Sequence, residues 1–203
     1  SFIRFSKQAI KFKPDYAEAY NNLGNVLKDQ GELDTAIESY KQAIVLKSDY
    51  AEAHNNMGNA LQANGDLDAA IDSYRRALEL KPDYAEAHNN NGNALKDKNK
   101  LADAITSYER AIQIKPDYAD AYNNMGIVLR EKGDLDASIA SYNQALKLKP
   151  NYADAYNNLG DALKEKGEIS ASIESYKQAL RIQPDFFDAA SNLAKFPSEY
   201  IGC

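Results

Sequence analysis

AEAYNNLGNVLKDQGELDTAIESYKQAIVLKS, residues 17–48, decides the fold of this 203-residue chain. Tyr20, Leu23, Gly24 and Leu27 are spaced i, i+3, i+4, i+7, the stripe of a helix with one buried face. Leu33, Ile37, Tyr40, Ala43 and Ile44 form a second helical stripe. Between them stands Gly31, which has no Cβ and can take the left-handed conformation that closes a helix C-terminus. The stretch therefore predicts a helix pair, A then B.

The pair recurs. Pro14, Pro82, Pro116, Pro150 and Pro184, with Ser48 at the one missing mark, stand on a 34-residue period and stop each helix B. Units at 17–50, 51–84, 85–118, 119–152 and 153–186 leave 1–16 as the end of a preceding repeat and 187–203 as a partial repeat with a capping helix and tail. SFIRFSKQAIKFKPDY at the start aligns with TAIESYKQAIVLKSDY at 35–50, so the chain reads as a fragment of a longer array. A period of this size means stacked units sharing one continuous core, here a single array over 1–203. Function is then expected on a long surface rather than in one pocket.

Two local features support the reading. Asp15/Glu18, Asp49/Glu52, Asp83/Glu86, Asp117/Asp120 and Asp185/Asp188, with Asn151/Asp154 as a variant, have capping-box spacing and predict an Asp N-cap on each helix A. Gly24, Gly58, Gly92, Gly126 and Gly160 sit mid-helix, where glycine costs about 1 kcal/mol relative to alanine, so a close contact is expected there. Ala36, Ala70, Ala104, Ser138 and Ser172 are the small residues expected opposite them on helix B.

Composition narrows the function classes. No apolar run reaches the length of about 18 residues that a membrane span needs. Net charge is −6 without a basic stripe, which argues against nucleic acid as a partner. The single cysteine, Cys203, fits a reducing compartment such as the cytoplasm. His54 and His88 occupy the aromatic place of Tyr20, Tyr122 and Tyr156 and are expected in the core, too far apart to share a metal ion. Nine of the ten glycines lie at helix contacts or turns, which leaves none for a phosphate loop. No catalytic set, cofactor site or metal site can be assembled, so no enzyme is expected.

The period, the aromatic residue followed by Leu–Gly, the small residue on helix B, the aromatic four places later, the Ala and the closing Pro together resemble the tetratricopeptide repeat, over about nine tenths of the chain. The resemblance implies an all-α, right-handed superhelical solenoid of antiparallel helix pairs. Its concave wall, lined by helix A, would hold a peptide or partner protein. The PDYAEAYNNLGN wording is also similar to the repeat arm of O-GlcNAc transferase-like proteins, whose asparagine ladder implies a groove that grips peptide backbone. In chaperone-binding members a lysine/asparagine set clamps a carboxylate; here Asn21 and Asn55 stand where its first lysine is expected, which argues against that activity.

A second stripe on helix A carries the candidate site. Asn22, Asn56, Asn90, Asn124, Asn158 and Asn192 are the main expected contacts, flanked by Asn21, Asn55, Asn89, Asn123 and Asn157, and by Asn25, Asn59 and Asn93; these are 14 of the 19 asparagines. Asparagine is a weak helix former, so its concentration here needs a reason. A carboxamide can donate and accept together and hold an extended backbone regardless of side chains. The alternative is that these residues bond between repeats or were copied by duplication. Lys28, Lys96, Arg130 and Lys164 alternate with Asp29, Asp97, Glu131 and Glu165, so steering of a strongly charged ligand is expected to be weak. Ile127 and Asp161 interrupt the Asn25 row, which suggests a ligand preference toward the C-terminal half.

The third unit departs from the pattern at Asn91, in the place of Leu23, and at Asn99, in the place of Gly31. Asn99 is compatible with a left-handed turn. Asn91 is either hydrated or satisfied locally, or it marks a weak seam. All six phenylalanines, Phe2, Phe5, Phe12, Phe186, Phe187 and Phe196, lie at the ends, with Phe186, Phe187, Ala190, Leu193 and Ala194 reading as a further helix A. They mark either cut ends or an end-to-end self-association surface. The expected function is a non-enzymatic scaffold for an extended peptide or partner protein. The alternatives are a substrate-recruiting arm of a larger glycosyltransferase-like protein and a structural self-associating module.

Overall fold

The structure, a computed structural model, describes residues 8–13 and 15–197. The expectations for Phe2, Phe5, Pro14 and Cys203, and for the end of the tail, fall outside the described residues. Those residues are all-helical: 8–12, then α1 (Ala17–Asp29), α2 (Leu33–Leu46), α3 (Ala51–Ala63), α4 (Leu67–Leu80), α5 (Ala85–Asp97), α6 (Leu101–Ile114), α7 (Ala119–Glu131), α8 (Leu135–Leu148), α9 (Ala153–Lys166), α10 (Ile169–Ile182) and α11 (Phe187–Leu193). Two compact units divide between Ile114 and Lys115. In the first, α1/α2, α3/α4 and α5/α6 are hairpins, with α1, α3 and α5 neighbouring one another in turn. In the second, α7/α8 and α9/α10 are hairpins, α7 touches α9, and α11 packs on α10.

Each hairpin turns the same way. The left-handed residue is Gly31, Gly65, Gly133 or Gly167, and in the third repeat Asn99 at φ 57°. The next N–H then reaches back across the helix end, as from Glu32 N to Leu27 O at 2.9 Å and from Lys100 N to Leu95 O at 2.9 Å. Asparagine thus supports the same turn as glycine, as its tolerance of that conformation predicts.

The nearest neighbours of the mid-helix glycines are tyrosine rings of helix B. A Cβ built on Gly24 would lie 2.6 Å from Tyr40 Cε1, and the same distance recurs at Gly58/Tyr74, Gly92/Tyr108, Gly126/Tyr142 and Gly160/Tyr176. All five rings are fully buried, as are Ala36, Ala70, Ala104, Ser138 and Ser172. The two serines use that proximity, donating to Gly126 O at 2.8 Å and Gly160 O at 2.7 Å.

The expected Asp N-caps do not form. Tyr16, Tyr50, Tyr84, Tyr118 and Tyr152 stand at the helix-A N-caps, and no side chain caps there. The reason is a tight turn before the helix: Tyr84 N bonds Lys81 O at 3.2 Å, which places Asp83 inside the turn, one residue short of the cap. Tyr50 N makes the same bond to Lys47 O across Ser48, so the turn does not require proline. The turn lysine lies over its tyrosine ring, at 4.7 Å for Lys47/Tyr50 and 4.6 Å for Lys81/Tyr84, and pairs with the acid opening the preceding helix A, Glu18 or Glu52. Aspartate caps do occur on helix B, where Asp66 and Asp134 accept from Ala69 N and Ala137 N.

At the C-terminal end α11 begins at Phe187, and the residue it buries is Ala189, not Ala190. Phe187 is 78% exposed and Phe12 81% exposed. Phe196 turns back onto Tyr176, with ring centroids 6.2 Å apart.

Candidate functional site: the helix-A asparagine rows

The three rows behave differently, because each occupies a different angle on the helix. Asn21, Asn55, Asn89, Asn123 and Asn157 are buried. Four of the side-chain oxygens accept from the next repeat: Asn56 Nδ2 to Asn21 Oδ1 at 3.1 Å, Asn90 to Asn55 at 3.1 Å, Asn158 to Asn123 at 3.0 Å, and Asn192 to Asn157 at 3.2 Å. Inter-repeat bonding, the alternative open in the sequence, thus accounts for Asn21, Asn55, Asn123 and Asn157.

The second row is only half used. Asn56, Asn90 and Asn158 are partly exposed, and each spends one N–H on this ladder. Asn22 is exposed. Asn124 is partly exposed and also takes part in an interaction. Asn192 is the most occupied, donating to Asn157 and to Asp161 Oδ1 at 3.1 Å and accepting from Lys195 at 2.9 Å.

The third row is tied to the core tyrosines, a link that sequence reading missed. Tyr40, Tyr74 and Tyr108 donate to Asn25, Asn59 and Asn93 Oδ1 at 2.8 Å each. The fixed 15-residue offset between each Asn and its Tyr was the available signal. Tyr176 donates to Asp161 in the same way at 2.7 Å, while Tyr142, opposite Ile127, has a buried hydroxyl with no hydrogen-bond partner. Burial pushes Tyr142 up to about 12.

The charged row is largely compensated, as expected, though not always by the expected neighbour. Lys28 lies 3.6 Å from Asp29 and Lys96 lies 3.3 Å from Asp97. Arg130 pairs with Asp161 at 2.9 Å and Glu165 at 3.9 Å in the next repeat rather than with Glu131. Lys164 keeps part of its side chain in solvent.

Asn91 is buried, donates to Ser107 Oγ at 3.0 Å, and leaves its own oxygen without a partner. It is therefore half satisfied. His54 is buried, and His88 is partly buried with Nε2 3.0 Å from Pro82 O. Burial holds both imidazoles below their usual range, with Arg76 near His54 and Arg110 near His88 acting in the same direction. Among the described residues no helix is long and apolar enough to cross a membrane, and no group of three or more His, Cys, Asp or Glu could hold a metal ion. A cavity of about 390 Å³ in the second unit lies beside Ile139, Tyr156, Leu159 and Leu163 and includes none of the asparagine rows.

Known proteins place this geometry in a family. The profile described as TPR repeat matches residues 7–31, 24–65, 92–129, 127–167 and 160–195, and that described as Tetratricopeptide repeat matches 51–84. The crystal structure of YrrB, described as a TPR protein with an unusual peptide-binding site, is similar at 25% identity and a TM-score of 0.70, covering 92% of this chain and 96% of that one. MamA is similar at 28% identity and a TM-score of 0.72, covering 80% of this chain and 95% of that one. The Cut9–Hcn1 hetero-tetramer of the APC/C shares the fold at 21% identity and a TM-score of 0.83, over 95% of this chain and 38% of that one. TPR folds commonly mediate protein–protein interaction, and these scaffolds are typically non-catalytic. With profile matches along most of its length and the same all-α hairpin solenoid fold, this chain belongs to the tetratricopeptide-repeat family.

Proposed function

We propose that this protein is a non-enzymatic scaffold that binds an extended peptide, or an extended segment of a partner protein, along the helix-A face. The observation that carries this is the half-engaged second row. One N–H of Asn56, Asn90 and Asn158 is anchored to the previous repeat. The anchor fixes the carboxamide plane and leaves a carbonyl oxygen and a second N–H for ligand backbone. A donor–acceptor pair already held in place loses less rotamer freedom on binding than a free side chain does, which favours affinity. The contacts proposed are Asn22, Asn56, Asn90, Asn124 and Asn158, with the N–H groups of Asn25, Asn59 and Asn93 beside them. Asn21, Asn55, Asn89, Asn123 and Asn157 act as the scaffold that orients them. Lys28, Lys96 and Lys164 border the face as contacts for polar ligand side chains. The peptide-binding site named for YrrB supports the same class of ligand.

The test is calorimetric titration of 12-residue peptides, selected on the wild-type chain from a random display library, against wild type and the Asn56→Ala/Asn90→Ala variant. Binding that weakens about tenfold or more supports the reading. Undiminished binding removes it.

A further inference from the structure

We propose that the fourth repeat carries a subsite for a neutral carbonyl oxygen of a bound peptide, with the Tyr142 hydroxyl and the Arg130 guanidinium as donors and Ile127 as the apolar wall. This rests on the peptide-binding reading above and assigns it a specificity element. In the second repeat the tyrosine hydroxyl meets two oxygens, Asn59 Oδ1 at 2.8 Å and Gln62 Oε1 at 3.0 Å. The equivalent residues in the fourth repeat are Ile127 and Arg130, so an alkyl group and an N–H donor replace both acceptors.

The result is one buried hydroxyl donor, Tyr142, beside a charged donor, Arg130, where the second repeat has two acceptors. Tyr142 is fully buried and its hydroxyl is unpartnered. Arg130 Nη1 is paired with Asp161 Oδ2 at 2.9 Å, and the other N–H groups of the guanidinium remain as donors. Ser138 Oγ, the polar neighbour of that hydroxyl on the same helix, spends its own O–H on Gly126 O at 2.8 Å. Unsatisfied buried donors are uncommon in native structures, and each favours uptake of an acceptor.

Charge selects the kind of acceptor. Asp161 and Glu165 already offset Arg130, so an incoming carboxylate would meet two others, and a cation would meet two donors. A neutral carbonyl meets neither penalty. Arg130 keeps 22% of its side chain exposed, so the guanidinium side of the pair borders solvent. Water is the competing occupant.

Tyr142→Phe in the full chain separates the two, because it removes the donor and keeps the ring. The probes are the display-selected 12-residue peptides. The subsite predicts affinity about three- to tenfold lower for Tyr142→Phe, at unchanged or higher Tm. Tyr74→Phe, whose hydroxyl already has two oxygens, should lower Tm, in contrast to Tyr142→Phe. Equal affinity of Tyr142→Phe and wild type for every peptide would overturn the subsite and leave water as the occupant. If Asn56→Ala/Asn90→Ala weakens binding and Tyr142→Phe does not, only the subsite fails. If neither weakens it, or no peptide can be selected, the peptide-binding reading fails and the subsite fails with it.

Discussion

The ring of Tyr74 fills the space that a Cβ on Gly58 would need, with Cε1 only 2.6 Å from that position. Because the neighbour is a buried aromatic ring rather than a flexible chain end, it cannot yield without moving helix α4. Gly58→Ala gains about 1 kcal/mol of helix propensity and incurs overpacking of about 1–3 kcal/mol. We expect net destabilisation of up to about 2 kcal/mol, read as a lower urea midpoint, although the same substitution stabilises most helices. An unchanged midpoint would show that the ring is free to shift.

Asn91 leaves a buried oxygen unpartnered where the first and fifth repeats have Leu23 and Leu159. Asn91→Leu removes that group and restores an apolar contact. Ser107 loses only an incoming bond, and its own O–H can bond the carbonyl four residues back, as Ser39 does with Thr35 O at 2.8 Å. Stability should rise by about 1–3 kcal/mol. Amide hydrogen exchange in α5 and α6 should slow, and unchanged protection would show that Asn91 is not a weak point.

The buried and exposed asparagines should separate in stability. Asn55→Ala deletes the oxygen that receives Asn90 Nδ2 and empties a buried site, for a loss of about 1–2 kcal/mol. Asn22→Ala, on an exposed position, should change stability by less than about 0.5 kcal/mol. Equal losses for the two would contradict the division of labour between the rows.

The histidines predict a pH dependence of fixed sign. Both imidazoles are held below their ordinary value of 6.5, chiefly by burial. The unfolded chain therefore takes up protons first as pH falls, and stability present above about pH 6.5 is lost as pH drops toward the folded-state values. The Tm should be lower at pH 5.5 than at pH 7.5. His54→Tyr/His88→Tyr, which installs the residue of Tyr20, Tyr122 and Tyr156, should flatten that dependence; an equally steep profile would assign it to other groups.

How much of this was legible in the sequence follows from the range of each interaction. Helix A, helix B and the left-handed turn at Gly31 rest on contacts within a few residues, so spacing and residue type were sufficient. The 34-residue period extended that reading to every repeat and allowed Asn99 to be placed beside the glycines. Even the expected close contact at Gly24 was legible, since a mid-helix glycine needs a packing reason. What periodicity could not supply was the nearest neighbour, the ring of Tyr40. The Asp15-type caps were misplaced by one residue, because a turn bond ahead of the helix competes with capping.

Sequence by itself determined that this chain is a tandem array of helical hairpins with amides concentrated on one side of helix A, because helix periodicity and turn chemistry are local properties. Tertiary structure alone decided which amides remain available. Asn21 and Asn22 are adjacent in the chain and chemically identical, but the 100° or so that separates them on the helix turns one toward the next repeat and leaves the other in solvent. The same holds for Tyr142, indistinguishable from Tyr74 by position, whose hydroxyl lacks an acceptor only because Ile127 and Arg130 fold against it. Such choices depend on groups on other helices, 12 to 35 residues away, and are made when the helices pack.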